Sequence, residues 1–509
     1  MSNQTSLRGP IFNQDSTEFF FTHGPDEVSA AAVDAYIDQL AAAGIGTFIS
    51  CLNAMKANFA SKVWETDWHG YDPKGPDDQP VLHQLPAAAI PGTRKRLDSA
   101  KHLAESGVDF HSRALARCRH HGIGAWVSVR MNDVHDCVAV ESPLLSTFFK
   151  AQREAKQLRS PHRQSDWWAD HGLDWERADV QEHYFKFVQE QLATRDIDGL
   201  ELDWMRFVFH FRPGRELAGG QAITAWMQRV RAECDQAEQR LGHPVKLGVR
   251  VPSRPETARR CGLDGVAWAR AGLIDLLVPT PFWATTDFDM PLCEWRRLVD
   301  GTRVHLAGGL EIRYQPVPNG PAGMMTPELA AGAAMNVLHG GADSVYLFNY
   351  FPSGHSLAKD WGWANINAGF RAMQDAAKLQ AVPRTHAVTF HDVRAPGEAA
   401  DNALPGVDTK LDFQWPPGCA FRVQTGPKPG ADRRAELLLE FERAPAARDE
   451  IQVFLNSQRV TADSPTPERI MRFLVPAATI SDEAQVVELV AGPDVKFRVL
   501  RVEVSFAAA

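Results

Sequence analysis

The sequence contains few cysteines, no excess of basic over acidic residues and no long apolar runs. Its seven cysteines are scattered over 509 residues without a CxxC pair, so neither a zinc site nor a disulfide framework is indicated. The formal net charge of -9 leaves no basic surplus to neutralise phosphates, which argues against nucleic acid or an anionic membrane as a partner. No stretch approaches the roughly 18 consecutive apolar residues of a membrane span. The polar N-terminus has no apolar signal core behind it, so we expect a cytoplasmic protein.

Several catalytic signatures are also missing. The eighteen histidines form no HExxH motif, and the first predicted strand carries no HxH, which disfavours a metallohydrolase barrel. There is no GxSxG nucleophile elbow, and no GxGxxG stands between a strand and a helix. We therefore expect a protein that uses neither a metal nor an organic cofactor.

What the sequence has is a regular alternation of short apolar strands and longer helical patterns over residues 1–380. This alternation predicts a parallel sheet flanked by helices, and eight such units close a (β/α)₈ TIM barrel. Long polar segments at 53–92 and 133–172 are typical of lids or binding loops. The predicted strands are 18–22, 47–52, 125–130, 199–204, 245–251, 274–280, 303–307 and 344–349.

After about residue 380 the helical period disappears. Short alternating strands separated by Pro/Gly clusters follow, and they predict an all-β sandwich over residues 381–509. Three roles are compatible with the sequence of this domain: carbohydrate binding, bracing of the barrel, and association with other chains. Association would include formation of a homo-oligomer. The predicted strands include 387–390, 411–413, 421–423, 435–441, 451–455, 486–490 and 495–506.

Polar residues stand at the ends of the predicted barrel strands. Active sites of such barrels lie at the C-terminal strand ends, whereas the interior is filled mainly by Val, Ile and Leu. Burying unpaired charge is costly, so this convergence indicates a polar substrate, with Trp283 as a stacking platform or a core residue. His23, at the end of the first predicted strand, is a substrate contact or a structural histidine. The candidate substrate-binding residues are His23, Arg130, Asn132, Asp133, Arg206, Arg250, Trp283, Asn349 and Tyr350.

The sharpest feature is the run Asp198-Gly199-Leu200-Glu201-Leu202-Asp203-Trp204 at the fourth predicted strand. Side chains two apart on a strand share a face, so Glu201 and Asp203 point the same way, with Cα atoms about 6.5–7 Å apart. Two carboxylates this close raise each other's pKa, which suits general acid/base work. Asp203 is nearer the rim and is the first candidate for chemistry. Glu201 is its auxiliary, or a structural partner of Arg130 or Arg250.

Glu311 follows the seventh predicted strand and is the other main catalytic candidate, against the alternative of a solvated loop carboxylate. Glycoside hydrolysis typically uses two carboxyl groups, about 5–5.5 Å apart in retaining enzymes and 6.5–9.5 Å apart in inverting ones. We expect Asp203, on the fourth predicted strand, and Glu311, after the seventh, to face each other across the barrel mouth. The pair is therefore a candidate for this chemistry, with either stereochemical outcome.

The stretch from Asp198 to Phe207, DGLELDWMRF, resembles the DG-apolar-x-(L/F)-D-aromatic-x-R segment of TIM-barrel glycosyl hydrolase-like families. More distantly, it is similar to the fourth strand of α-amylase-like enzymes. The resemblance implies a barrel with a catalytic nucleophile at Asp203. It departs at Glu201, where α-amylases have an arginine.

These observations together predict a glycoside hydrolase acting on an oligosaccharide or polysaccharide fragment. Two alternatives stay open. A metal-assisted carbohydrate lyase or isomerase on the same barrel would need three acidic or histidine ligands at one point. A non-catalytic carbohydrate-binding protein would retain binding after Asp203→Asn and would have no turnover to lose.

Overall fold

The computed structural model describes residues 7–139, 142–161, 168–318, 320–352, 357–398, 418–430, 432–447, 450–463, 468–491 and 497–508. Eight parallel strands form a closed barrel in the order β1-β10-β7-β6-β5-β4-β3-β2. The predicted TIM barrel is confirmed. The barrel strands are β1 Ile11–Asp15, β2 Thr47–Cys51, β3 Gly124–Arg130, β4 Gly199–Asp203, β5 Lys246–Pro252, β6 Leu276–Thr280, β7 His305–Glu311 and β10 Ser344–Phe348.

Helices follow the barrel strands and cover the outside of the sheet. Among the described residues, no helix is long and apolar enough to cross a membrane. The helices are α1 Thr17–Thr22, α2 Ala30–Ala42, α3 Ile90–Glu105, α4 Phe110–His120, α5 Thr147–Glu154, α6 Ala178–Thr194, α7 Glu216–Leu241, α8 Pro255–Arg260, α9 Gly265–Arg270, α10 Leu292–Leu298, α11 Pro327–His339, α12 Leu357–Asp360, α13 Trp363–Ala372 and α14 Ala376–Gln380.

An apolar cluster in the barrel interior includes the indole of Trp126, which is 1% exposed. This large ring fits because the neighbouring strands carry glycine beside it. A Cβ added at Gly199 would lie 2.4 Å from the Trp126 ring, and one at Gly248 would lie 3.0 Å from it. Above this cluster the inward positions become polar, beginning with Glu201 on β4. The interior is therefore apolar beneath the polar site.

The first strand differs from the prediction. The prediction of a strand over 18–22 is wrong, because β1 is Ile11–Asp15 and Thr17–Thr22 is a helix. The carboxylate of Asp15 accepts hydrogen bonds from the backbone N–H and hydroxyl of Thr17, which start the helix. Phe19 and Phe20 are buried on that helix against Phe110. An aromatic-rich run that is typical of a strand is thus a short helix packed on the outside of the barrel.

The seventh strand also differs from the prediction, in a way that bears on the site. It runs from His305 to Glu311 and not from 303 to 307, so Glu311 is its last residue rather than part of a following loop. Gly308 and Gly309 lie within the strand. A Cβ at Gly309 would lie 2.3 Å from the hydroxyl oxygen of Thr280 on β6. These glycines allow close contact with neighbouring side chains and are not a turn.

Two antiparallel sheets follow the barrel and pack as the predicted β-sandwich, with strand orders β11-β18-β13-β16 and β12-β17-β14-β15. Their inward side chains, such as Phe421, Leu437 and Val487, form one apolar cluster. The predicted strand 411–413 lies outside the described residues. The strands are β11 Arg384–Ala387, β12 Gly418–Gly426, β13 Arg433–Phe441, β14 Ile451–Leu455, β15 Gln458–Val460, β16 Ile470–Val475, β17 Glu483–Ala491 and β18 Val499–Ala508, while β8 Arg313–Tyr314 and β9 Gly323–Met324 form a hairpin near the barrel.

The sandwich is anchored on the barrel through α11 and the β8 hairpin. A Cβ at Gly332 of α11 would lie 2.0 Å from the carbonyl oxygen of Thr385, so glycine permits the close approach of β11. Asn336 donates to the carbonyl of Gln424, and the Tyr314 hydroxyl donates to Glu503 at 2.8 Å. The chain leaving β11 is therefore held beside the C-terminal ends of the barrel strands.

Candidate active site

The side chain of Glu201 is buried in the barrel interior. Its Oε1 accepts hydrogen bonds from Ser128 at 2.8 Å, from Tyr346 at 2.9 Å and from Asn13 at 3.1 Å. Its Oε2 is buried without a hydrogen-bond partner among the described residues. Burial raises the pKa of Glu201 to about 7, and the nearby Asp203 carboxylate adds to the effect. Its bonded partners come from three strands, and neither Arg130 nor Arg250 is among them.

Asp203 forms a fully buried ion pair with Arg250. The distance from Arg250 Nη1 to Asp203 Oδ2 is 2.7 Å, and each side chain is 1% exposed. The other oxygen, Oδ1, accepts from the backbone N–H of Met205 at 3.1 Å. The pairing follows from barrel register, because Asp203 lies opposite Arg250 on the adjacent strand. Since an arginine is protonated at all accessible pH values, its guanidinium offsets the charge of a buried carboxylate at this position.

Glu311 ends β7 and is 2% exposed. Its Oε1 accepts from the backbone N–H of Ile312 at 2.9 Å, and its Oε2 is buried without a hydrogen-bond partner among the described residues. Burial raises the pKa of Glu311 to about 7, although the guanidinium groups of Arg206 and Arg250 act to lower it. Glu311 is therefore a buried carboxylic acid that holds its proton close to neutral pH.

The three acidic candidates belong to one charged cluster. Arg250 interacts electrostatically with Asp203, Glu201 and Glu311. Arg206, just beyond β4, interacts with Glu311 and Asp203. The structure thus brings together the three carboxyl groups predicted from the sequence, around two guanidinium groups at the C-terminal end of the barrel.

Arg206 lies on a rigid backbone. Its carbonyl accepts from the N–H of Asn132, and the following residue, Phe207, donates its N–H back to the carbonyl of Asn132. The side chain is 4% exposed. Its guanidinium carbon lies 4.7 Å from the centre of the Phe348 ring and 5.9 Å from that of Phe282. Within the described residues it donates no side-chain hydrogen bond, and its Nε is buried without a partner.

Arg130 pairs with a carboxylate that the sequence reasoning missed. Its Nη2 lies 2.8 Å from Asp15 Oδ2, at the end of β1, and its Nη1 lies 3.5 Å from Asp133. Burial would raise the pKa of Asp15, but Arg130 and the hydrogen bonds from Thr17 lower it below its usual range. The Asp15–Arg130 pair, and not Glu201–Arg130, forms this side of the rim.

The polar side-chain atoms of Asn132 and Asp133 are engaged in contacts within the protein. Asn132 is 0% exposed, and its amide bonds the backbone of Leu173 and Phe209. Asp133 contacts the ring and backbone N–H of His135. Burial acts to raise the pKa of Asp133, but His135 and Arg130 outweigh it and lower the pKa to about 2. These contacts favour positioning roles, and substrate binding by either residue stays a prediction.

His23 does not end a barrel strand, so that placement is wrong. It is the C-terminal cap of α1, where its ring stacks on Phe19 with centroids 4.2 Å apart. Its Nδ1 lies 2.9 Å from the carbonyl oxygen of Phe19. The misplaced first strand caused the error. These contacts are those of a structural histidine, the alternative that the sequence left open.

Asn349 and Tyr350 follow β10. Asn349 has a left-handed backbone with φ of 56°, and its Oδ1 is buried without a hydrogen-bond partner among the described residues. Tyr350 is 0% exposed, and its hydroxyl donates to the carbonyl of Glu311 at 3.3 Å. Tyr350 therefore supports the backbone that carries Glu311, while Asn349 keeps an acceptor for a ligand.

Trp283 lies on the loop after β6 and is 49% exposed, so packing inside the core is excluded for it. The guanidinium of Arg313 lies 4.8 Å from the centre of its ring. Asp392, from the segment that follows β11, accepts backbone N–H bonds from Phe282, Trp283 and Ala284 at 2.7–2.9 Å. It also acts to raise the pKa of Glu311. The segment beyond the barrel thus fixes a loop of the site.

A cavity of about 310 Å³ opens beside the Asp15–Arg130 pair. The long segment 53–92 and α3 form much of its wall, including the ion pair between Arg96 and Asp67, whose atoms are 2.7 Å apart. The predicted binding loop therefore lies over the ends of β1 and β3. Among the residues that the structure describes, no cluster of three His, Cys, Asp or Glu side chains could hold a metal ion.

The missed residues lie in two places. Asn13, Asp15 and Tyr346 lie on strands at the barrel closure, and Asp392 comes from beyond the barrel. The signal for the first two was the alternation Ile11, Asn13, Asp15, which a strand beginning before residue 18 would have placed inward. For Asp392 the sequence carries no local signal, because its partners are more than 100 residues away.

No protein-family model matches the chain, and no curated protein is significantly similar to it. Among solved structures, it is similar to alpha-L-fucosidase isoenzyme 1 from Paenibacillus thiaminolyticus, with 13% identity over 96% of this chain and 97% of that one and a TM-score of 0.38. An alpha-fucosidase from Thermotoga maritima has 11% identity, 90% and 78% coverage and a TM-score of 0.35. A noncanonic maltogenic alpha-amylase from Thermotoga neapolitana has 8% identity, 97% and 100% coverage and a TM-score of 0.37.

Proposed function

We propose that the protein is a glycoside hydrolase that cleaves a glycosidic bond in an oligosaccharide or polysaccharide fragment. One observation carries the proposal: a carboxylate in a buried ion pair with an arginine shares a cluster with a carboxylic acid whose pKa burial raises to about 7. Two carboxyl groups held in opposite protonation states are what glycoside hydrolysis requires. The ionised group is Asp203 and the acid is Glu311.

In this proposal Glu311 donates its proton to the leaving-group oxygen. Its Oε2 is buried and has no hydrogen-bond partner among the described residues, so none of them competes for the proton on it. Asp203 then acts as the nucleophile, or as the base that activates water, on the other side of the sugar. The anomeric configuration of the first product, read by proton NMR, distinguishes these two roles.

Glu201 is the auxiliary group in this scheme. It is held below Asp203 by three hydrogen bonds to one oxygen and has no exposed surface. A neutral Glu201 adds no negative charge beneath Asp203 and leaves the Asp203–Arg250 pair undisturbed. Its role is to set the electrostatics of the reacting carboxylate, without contact to the sugar.

The test compares two families of substrate. Aryl glycosides with a dinitrophenyl leaving group need little protonation, whereas oligosaccharides need a full proton transfer. Asp203→Asn should slow both by about 100-fold or more, while Glu311→Gln should slow oligosaccharides about 100-fold and aryl glycosides far less. Asp300→Asn and Glu154→Gln, at two exposed positions, are the matched controls.

Turnover that survives unchanged in both variants would refute the assignment. Loss of turnover with chelator and its return with a divalent ion would instead favour the metal-assisted lyase or isomerase. Sugar binding without turnover of any glycoside, retained in Asp203→Asn, would favour a non-catalytic carbohydrate-binding protein.

A further inference from the structure

Arg206 is a buried cation without an acceptor. A guanidinium carries five N–H donors, and burying them unpaired is costly. None of those donors makes a hydrogen bond within the described part of the chain; the residue is 4% exposed, and its Nε is the donor that is buried without a partner there. Its near neighbours are aromatic rings, which attract the charge through their faces but leave the N–H groups unsatisfied.

The other two arginines of the site are already paired. Arg130 binds Asp15, and Arg250 binds Asp203, each at 2.7–2.8 Å. Burial lowers the pKa of Arg206, and these two arginines add to the effect as like charges. In the described part of the chain, no carboxylate hydrogen-bonds this third guanidinium.

The carboxyl groups that keep a free oxygen do not supply the missing charge in slightly acidic solution. Glu201 and Glu311 each have one oxygen without a partner, but burial raises the pKa of each to about 7. Asp392, the remaining acidic group near Glu311, is bound by three backbone N–H groups. While both glutamic acids are protonated, no ionised carboxylate among the described residues is left with a free oxygen to hydrogen-bond Arg206.

From this geometry we infer that the site takes a sugar bearing an anionic oxygen group, a carboxylate or a sulfate, and that Arg206 binds that group. The inference rests on the proposed function for its sugar substrate. A planar guanidinium forms two parallel hydrogen bonds to either anion. The rigid backbone at Arg206, fixed by two hydrogen bonds to Asn132, aims the side chain before the ligand arrives. Arg206 is three residues past Asp203, so the anionic group lies on the sugar near the bond to be cleaved.

The binding experiment uses the unsubstituted full chain, because free monosaccharides have no glycosidic bond to cleave and the Asp203–Arg250 pair stays intact. Calorimetry at pH 6 compares matched sugars: glucuronic acid with glucose, galacturonic acid with galactose, and galactose 6-sulfate with galactose. We expect at least one acidic member to bind more tightly than its neutral twin by about tenfold or more. The carboxylate and sulfate arms identify which anion the site accepts.

Substitution of Arg206 decides whether this preference comes from the proposed residue. Arg206→Met should remove about 100-fold of the affinity for the acidic sugar and leave the neutral twin nearly unchanged. Arg206→Lys keeps the positive charge but loses the two parallel N–H donors of the guanidinium. Its affinity for the acidic sugar should therefore lie between those of the wild-type chain and Arg206→Met. Arg212→Met is the control, because Arg212 is 57% exposed and pairs with Asp174 outside the site.

Equal binding of acidic and neutral twins, or equal loss of both in Arg206→Met, would overturn the inference. So would the absence of any binding by the acidic sugars together with no rise in melting temperature from inorganic sulfate. Acidic sugars that bind through Arg206 while no glycoside is hydrolysed would contradict the hydrolase and leave the anion subsite intact. Hydrolysis of neutral glycosides by a chain that binds acidic and neutral twins equally would contradict the anion subsite and leave the hydrolase intact.

Discussion

Glu311 should lower the stability of the protein at neutral pH, and Glu311→Gln should therefore stabilise it. The ordinary pKa of a glutamic acid is 4.5, and burial raises the pKa of Glu311 to about 7 in the folded chain. The stability associated with the protonated form is fully present below about pH 4.5. It is lost as the pH rises through about 7, because the unfolded chain ionises Glu311 freely and the folded chain does so only at a cost.

The magnitude follows from the shift. Each pKa unit corresponds to about 1.4 kcal/mol, so the penalty is about 3 kcal/mol at pH 8, about 2 kcal/mol at pH 6 and about 1 kcal/mol at pH 5. Glutamine keeps the acceptor for the N–H of Ile312 and cannot ionise. For a barrel of roughly 380 residues that unfolds as a unit, the gain at pH 8 is about 4 °C in melting temperature.

Differential scanning calorimetry of the wild-type chain and Glu311→Gln at pH 5, 6, 7 and 8 measures this gain. The difference between the two melting temperatures should grow by about 3 °C from pH 5 to pH 8. The control is Glu154→Gln, at an exposed position on α5, for which the difference should not change with pH. A gain for Glu311→Gln that is the same at pH 5 and pH 8, or a loss at pH 8, would refute the reasoning.

Two further substitutions test other parts of the structure. Asp392→Asn should raise KM, because three backbone N–H groups of the loop after β6 lose a charged acceptor. It should also move the alkaline limit of the pH–rate profile to lower pH, because a charge that raises the pKa of Glu311 is gone. An unchanged pH–rate profile would contradict this second expectation. Gly199→Ala should lower stability by about 1–3 kcal/mol in denaturant unfolding, since the new Cβ would lie 2.4 Å from the Trp126 ring, whereas Gly92→Ala, with nothing within 4 Å, should be neutral or stabilising.

The barrel could be predicted because its signal is periodic and local. On β4, Leu200 and Leu202 pack in the outer core while Glu201 and Asp203 face the interior, as the spacing of two residues requires. The first strand was misassigned because its apolar part is only Ile11 and Phe12, and the aromatic run that follows is more typical of a strand. In the folded chain the Asp15 cap and tertiary packing decide the conformation of that run.

The pairing of charges could not be predicted, because it depends on which strands become neighbours and on how deep each side chain lies. The sequence offered Arg130 and Arg250 equally as partners for Glu201. Barrel closure brings Asp15 within reach of Arg130, and the register of β4 with β5 places Arg250 beside Asp203. Neither arginine therefore hydrogen-bonds Glu201, whose hydrogen-bond donors are all neutral.

That outcome explains how two acids on one strand acquire different chemistry. Asp203 has a buried cation at 2.7 Å, whereas Glu201, one layer deeper, has only a hydroxyl, a phenol and an amide. In a medium that penalises charge, the guanidinium of Arg250 offsets the charge of Asp203, whereas burial raises the pKa of Glu201 to about 7. In the proposed function Glu311 provides the proton from β7, and the strand-4 acids supply the nucleophile or base and its electrostatic support rather than an acid–base pair of their own.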